Sequence, residues 1–277
     1  MNDITASLEY AQFIKAYYGM ETAFEHGLPV HYKNGEVHIP FREYLVPGIS
    51  LSWMALCKKI KEQHHAEWLE LRVAGVPLAG GLEETPFAAF FLDLSGGEAA
   101  VLERMNKKTR NEVRKGQMAG FTIEHLHDAS ELTELYLENM GRHGTPAKSR
   151  DYFPKFLETM GARVAVIGAR QDGVLAGANV LLVGDTDARV LMNLSRKTFW
   201  PEYVNNLLYG ESIRYALSKN FTRLDFGGGL ASDTSHNHFK AGFGARQVPI
   251  YGITLGSPLK RLQKYILRKK RNFLLRF

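Results

Sequence analysis

Residues 220–244 read NFTRLDFGGGLASDTSHNHFKAGFG, Asn220 to Gly244, and the rest of the chain reads as support for this span. Phe221, Leu224 and Phe226 stand among strand-forming neighbours. The strand is expected to stop at Gly227-Gly228-Gly229, where the backbone can take positive φ and pass close to a ligand. That places Asp225 at a strand end. Ser232 to His238 is polar and rich in turn formers, and His238 to Phe243 then reads as one or two helical turns closed by glycine. A lysine on such a helix, Lys240, can direct a positive charge at a carbonyl in a cleft.

Working upstream, Val204 to Leu217 is a long helix by its apolar spacing, entered through a loop at Trp200-Pro201. Before it, Arg163–Ala169, Leu175–Val183 and Ala188–Leu194 alternate as strands. Gln171-Asp172-Gly173 and Gly184-Asp185-Thr186-Asp187 join them with the turn chemistry of an antiparallel meander. Ser130–Met140 and Asp151–Met160 are helical patterns. Glu98 to Met118 reads as one helix, with Leu102, Met105, Thr109 and Val113 on one stripe and Arg104, Lys107, Lys108, Arg110, Arg114 and Lys115 elsewhere. Six cations there suit phosphates of a nucleotide, a tRNA backbone or a lipid-linked substrate, and equally an ordinary solvated face.

The first hundred residues repeat part of this order. Leu8–Tyr18 reads as an amphipathic helix, and Lys33-Asn34-Gly35 between Pro29–His31 and Val37–Ile39 is a hairpin signal. Trp53–Gln63 reads as a helix, and Trp68–Val73 and Phe87–Leu94 as strands. The helix-then-strand unit Trp53–Val73 has the order of Asn205–Phe226, which points to two related halves.

The chain's 277 residues, 45% hydrophobic, suffice for two modest domains or one large one. Its net charge of +6 suits anionic partners and is also compatible with having none. Cys57 is the one cysteine, so an internal disulfide and a cysteine-based zinc site are both excluded. Met1 to Tyr10 lacks a basic cap followed by an apolar core, and no apolar run approaches the ~20 residues of a spanning helix. A cytoplasmic location is expected. The tail, Ser257 to Phe277, interleaves apolar residues with Lys and Arg, the pattern of a helix that lies on an anionic membrane surface, clamps an RNA or docks on its own protein.

The block NNLLYGESIRYALSKNFTRLDFGGG followed by HFKAGFGA, with the earlier basic run Lys107 to Lys115, resembles the FemAB-type aminoacyltransferases and their BioF2-like relatives, within the GNAT acyltransferase superfamily. The similarity spans roughly Leu28 to Leu255. It implies an α+β layered fold of two GNAT-like halves, each a mostly antiparallel sheet flanked by helices. The expected division is an N-terminal half over 1–97, a basic connecting helix over 98–119, a GNAT domain over 120–256 and a basic tail over 257–277. It also implies that Lys240, in the Phe239-Lys240 pair, sits by the reacting carbonyl, and that Pro40 to Tyr44 reaches an acceptor cleft where Arg42 and Tyr44 meet anionic groups.

Amide formation from an activated ester or thioester needs a neutral amine, a positioned carbonyl and stabilisation of the tetrahedral oxyanion. No covalent enzyme intermediate is needed, and the sequence offers no convincing nucleophile: Cys57 sits in a helical pattern and there is no Gly-x-Ser-x-Gly elbow. Lys240 is the candidate oxyanion partner and Asp225 the first-ranked base, with capping of the glycine turn as its alternative. His236 and His238 rank behind, Tyr251 is a possible acid or orienting group, and no metal is expected. Phe239 and Gly227, Gly228 and Gly229 would border the substrate.

A GNAT pyrophosphate loop is glycine-rich, whereas the matching segment here, SRKTFWPEYVNN over 195–206, has no glycine. Arg196 and Lys197 could still bind phosphate, and Asn205 and Asn206 match the family's Asn-Leu-Leu segment. Lys108, Arg110 and Arg114 are further phosphate candidates. That departure from the glycine loop moves the expected donor towards aminoacyl-tRNA, as the FemAB resemblance implies, with acyl-CoA or an acyl-carrier protein as the alternative and no permanently bound cofactor. The expected acceptor is an amine on a cell-envelope precursor, lipid-linked or nucleotide-linked, or a small peptide, with peripheral contact to the inner membrane surface through the tail. A non-catalytic membrane- or RNA-binding module is the competing class.

Overall fold

In the computed structural model of the chain, residues 4–40, 52–75 and 83–270 are described, with side chains through residue 264. The elements begin with α1 (Leu8–Phe13), β1 (Glu21–Glu25), β2 (Leu28–Lys33), β3 (Glu36–Pro40), α2 (Trp53–Gln63), β4 (Trp68–Ala74) and β5 (Glu83–Asp93). Then come α3 (Gly97–Arg104), α4 (Lys107–Met118), β6 (Thr122–His125), α5 (Ala129–Arg142), α6 (Tyr152–Met160), β7 (Val164–Gln171), β8 (Val174–Val183) and β9 (Asp187–Ser195). The chain closes with α7 (Val204–Ser218), β10 (Arg223–Leu230), α8 (Thr234–Gly242), β11 (Arg246–Leu255) and α9 (Pro258–Lys270).

Contacts divide the chain into two compact units. The first takes Met1–Ala89, Leu230–Ser232 and Val248–Phe277; the second takes Phe90–Gly229 and Asp233–Gln247. The expected contiguous division differs from this one: the basic helical stretch falls inside the second unit, and the chain's end returns to the first.

In the first unit the strand order is β1-β2-β3-β4-β11-β5. The Asn34-Gly35 hairpin forms as expected, both residues taking positive φ, 49° and 72°. Helix α2, capped by Ser52, makes the crossover from β3 to the parallel β4. It buries Trp53, Leu56, Cys57 and Ile60 against Val37, Ile39, Leu69 and Leu71. Side chains alternate across a strand, so His38, Glu70 and Arg72 leave that core for the opposite sheet face. Along α9, Lys260 reaches Glu67 at 3.1 Å, and Lys264 reaches Glu36 and lies over the Trp68 ring. The described part of the tail is thus docked on its own unit, with Leu259 and Leu262 exposed.

In the second unit the order is β5-β10-β9-β8-β7-β6. The meander expected over residues 163–194 is present as β7, β8 and β9, turning at Asp172-Gly173, and β6 extends it antiparallel to β7. After α7, β10 runs parallel to β9. The fold class is α+β with mixed strand pairing, and each unit holds one β-helix-β crossover.

Two local expectations need correcting. The basic stretch is two helices, because Met105 is extended (ψ 133°) and Asn106 caps α4 by accepting from Thr109 N at 2.7 Å. Leu8–Tyr18 is α1 followed by a wider π-type turn over Ile14–Tyr18 that ends at Gly19. Strands β1 and β6 were not foreseen; both are short and mostly solvated, so neither shows the alternation of a half-buried strand.

Candidate active site

The quoted span forms β10 and α8 in the second unit, but the glycines do not end the strand. β10 runs through all three to Leu230, so Asp225 lies within it, in parallel register with Arg189 of β9. Of the three, only Gly227 has positive φ, +76°. A Cβ there would come within 2.8 Å of the Val190 carbonyl oxygen, so both conformation and space require glycine. Asp225 is 3% exposed. Its Oδ2 accepts from Arg189 Nε at 2.9 Å, and its Oδ1 accepts from Gly227 N at 2.8 Å. The residue ranked first as a base is therefore committed at both oxygens, to a partly buried arginine and to the bend.

Helix α8 starts at Asp233, which accepts from His236 N and also holds the His236 ring at 2.8 Å. It begins one turn before the expected helix, so both histidines sit on it, exposed. Lys240 lies on its last turn and is 9% exposed. Its ammonium approaches Gly227 O at 3.3 Å and Gly228 O at 3.5 Å, and stands 5.1 Å from the Phe90 ring centroid. The aromatic-lysine helix and the glycine bend are thus joined. Phe239 is held with Tyr209, Phe226 and Phe243 in one cluster of edge-to-face contacts and one tilted pair, Tyr209–Phe243, with centroids 4.9–5.6 Å apart. Burial, with the Asp225 carboxylate second, pushes the Tyr209 hydroxyl well above its ordinary pKa.

Helices α4 and α7 complete the surroundings. Asn106 N donates to Gly242 O at 2.9 Å, and a Cβ on Gly242 would overlap Thr109 Oγ1, so α8 and the start of α4 are in close contact. Along α4, Val113 meets Gly210 and Gly116 meets Leu207, while Glu112 accepts from Asn206 Nδ2 at 3.1 Å. This contact face turns the cations outward: Lys107, Lys108, Arg110 and Arg114 are exposed, Arg110 being tied back to Leu102 O. Asn205 sits in the first turn of α7 with its buried Oδ1 unpartnered among the described residues.

The segment expected to meet phosphate is built differently from a glycine loop. Residues Lys197–Glu202 form a short 3₁₀ helix containing Pro201, and Tyr203 in the left-handed region (φ 60°) turns the chain into α7. Arg196 is spent on Leu175 O and Glu138, whereas Lys197 is exposed.

Tyr251 lies in the first unit, on β11 opposite Val73, and Arg42 and Tyr44 fall outside the described residues. Burial pushes the Cys57 thiol up to about 12, which removes it as a nucleophile at neutral pH. Sequence reasoning missed Arg189, Phe90 and Tyr209. Arg189 had a signal, since a cation inside an otherwise apolar strand needs a buried partner.

The family description "Acetyltransferase (GNAT) domain" matches residues 103–241. No curated protein sequence matches the chain. Among solved structures, it is similar to FemX at 14% identity and TM-score 0.71, covering 94% of each chain. It is also similar to L-PGS from Bacillus licheniformis, at 11% identity and TM-score 0.61 over 96% of this chain and 97% of that one. A tandem GNAT protein from the clavulanic acid biosynthesis pathway matches at 14% identity and TM-score 0.52, over 83% and 79%. At these identities the likeness is one of fold.

Proposed function

We propose, from the premise that the chain belongs to the acetyltransferase (GNAT) domain family, that it is an N-acyltransferase taking an aminoacyl group from aminoacyl-tRNA to an amine. The acceptor is a cell-envelope precursor, lipid-linked or nucleotide-linked, or a small peptide. The observation that carries this reading is Lys240, an ammonium that burial and two glycine carbonyls hold at the bend of β10. In the reaction the neutral amine attacks the ester carbonyl, and the Lys240 ammonium stabilises the tetrahedral oxyanion. The new C–N bond forms as the ester C–O bond breaks, and the amine's proton passes to the departing ribose oxygen. Asp225 acts here as a positioning residue that fixes the Gly227 bend.

Two features favour the tRNA donor. The entry to α7 is a proline-bearing 3₁₀ helix, which lacks the run of glycine N–H groups that cradles a pyrophosphate. The contact face of α4 leaves Lys107, Lys108 and Arg114 exposed together, which suits an RNA backbone. The family's acetyltransferase description favours the alternative, an acyl-CoA donor in the same site.

The test incubates the purified chain with amine acceptors and either charged tRNA or acyl thioesters, and reads products by mass spectrometry. Transfer that RNase abolishes supports the reading, and transfer from a thioester alone overturns the donor. Lys240→Ala should lower kcat by about 10²–10³ with KM little changed; a rate within a few-fold of the parent removes Lys240 from the mechanism.

A further inference from the structure

The first unit holds a pocket of about 270 Å³ on the sheet face opposite the α2 core. Strand register builds its floor. His31 of β2 pairs with His38 of β3, which pairs with Glu70 of β4, so three polar side chains stand in one row across the sheet. Glu36 and Arg72 flank the row two residues along their strands, and Lys264 of α9 reaches over to Glu36. Ile14, Tyr18 and Met20 supply an apolar wall.

Two properties mark this as a site for a ligand rather than a filled polar core. His31 is 2% exposed, and its Nδ1 meets Thr22 Oγ1 at 2.8 Å, yet its Nε2 has no hydrogen-bond partner among the described residues. Burial, with His38 second, lowers its pKa to about 4, so the ring is neutral at neutral pH and either tautomer leaves one hydrogen-bonding capacity unspent. A buried polar atom left so is destabilising until a partner fills its hydrogen-bonding capacity.

The second property is the arrangement of charge. Glu36 with Lys264 and, at 3.9 Å, Lys260, and Glu70 with Arg72 at 2.6 Å, set an anion beside a cation at two points of the pocket lining, and His38 lies between them, 3.6 Å from Glu36 and 4.0 Å from Glu70. A purely anionic ligand would meet two carboxylates, and a purely cationic one would meet an arginine and a lysine. A ligand carrying both signs can align with both pairs. A metal ion does not fit: among the described residues no group of three His, Cys, Asp or Glu side chains is arranged to hold one.

We propose that this pocket binds a small zwitterion of amino-acid type. Its carboxylate faces Arg72 and Lys264, its ammonium faces Glu36 and Glu70, its side chain lies along Ile14 and Met20, and His31 Nε2 takes the remaining hydrogen bond. The pocket has room on the order of nine waters, enough for a free amino acid of medium size. The inference stands on the first unit alone and does not depend on the transfer reaction.

Calorimetric titration of the full chain with L-leucine, L-methionine and L-lysine tests it, beside leucinamide, which lacks the carboxylate, and 4-methylpentanoate, which lacks the ammonium. At least one amino acid should bind, with each of the two single-charge analogues at least about ten-fold weaker than leucine or undetectable. Arg72→Gln should weaken binding at least about ten-fold, and Met20→Trp, at a half-exposed wall position, should abolish it while the melting curve stays that of a folded protein. No heat from any of the three amino acids up to about 10 mM overturns the proposal. So does leucinamide binding as tightly as leucine, or undiminished binding by folded Met20→Trp.

Discussion

Asparagine in place of Asp225 separates a structural carboxylate from a catalytic one. Asp225 and Arg189 side chains are 4% and 11% exposed and meet at 2.9 Å, so the substitution removes a charge-assisted hydrogen bond from a largely buried pair. Removing one partner of a buried pair costs about 3–5 kcal/mol. For a chain of this size that corresponds to a melting point lower by about 10 °C. Asparagine can still accept from Gly227 N, so the bend keeps its cap and the loss is assignable to the ion pair. Replacing Arg189 by Met as well removes the cation that Asp225 offsets, and the double variant should be more stable than Asp225→Asn alone. Urea midpoints of the parent, both single variants and the double variant give the coupling, and transfer rate per folded molecule is read alongside. If Asp225→Asn unfolds within about 1 kcal/mol of the parent while transfer falls by orders of magnitude, the carboxylate is a base and our account of it is wrong.

Three further outcomes follow from the same geometry. Gly227→Ala should lose about 2 kcal/mol or more, through positive φ and overlap with a backbone oxygen, whereas Gly229→Ala, with no atom within 4 Å of its Cβ and ordinary φ, should be nearly neutral in the same urea assay. The folded pKa of His31, about 4, lies below its ordinary 6.5, so the unfolded chain takes up the proton first. Stability is therefore full above pH 6.5 and falls as the pH drops towards 4, by up to about 3 kcal/mol, and the slope in this window should flatten in His31→Asn. Cys57, 1% exposed with its thiol raised to about 12, should be silent to a thiol reagent in the native state and react fully in denaturant; prompt native labelling would contradict its burial.

Much of the element order was legible because it is encoded locally. The turn chemistry of Asp172-Gly173 and Asn34-Gly35, the alternation of β7 to β9 and the apolar spacing of α7 each depend on neighbours a few residues away. So does Lys240's place beside a phenylalanine on a short helix after a glycine run. Local pattern also misled: three consecutive glycines suggested an end to β10, yet a strand whose neighbours supply its hydrogen bonds can carry glycines, and only Gly227 departs from extended backbone.

The sequence by itself determined most of the elements and their order, because periodicity and turn propensity act over a few residues. Tertiary structure alone decided that Asp225 would meet Arg189 across a parallel register, 36 residues away in the chain. It also decided that His31, His38 and Glu70 would share a row and that Lys264 would close over Glu36, 228 residues away. The physical reason is that a strand specifies which of its faces is buried, whereas the partner opposite a given side chain is fixed only when distant strands settle into register.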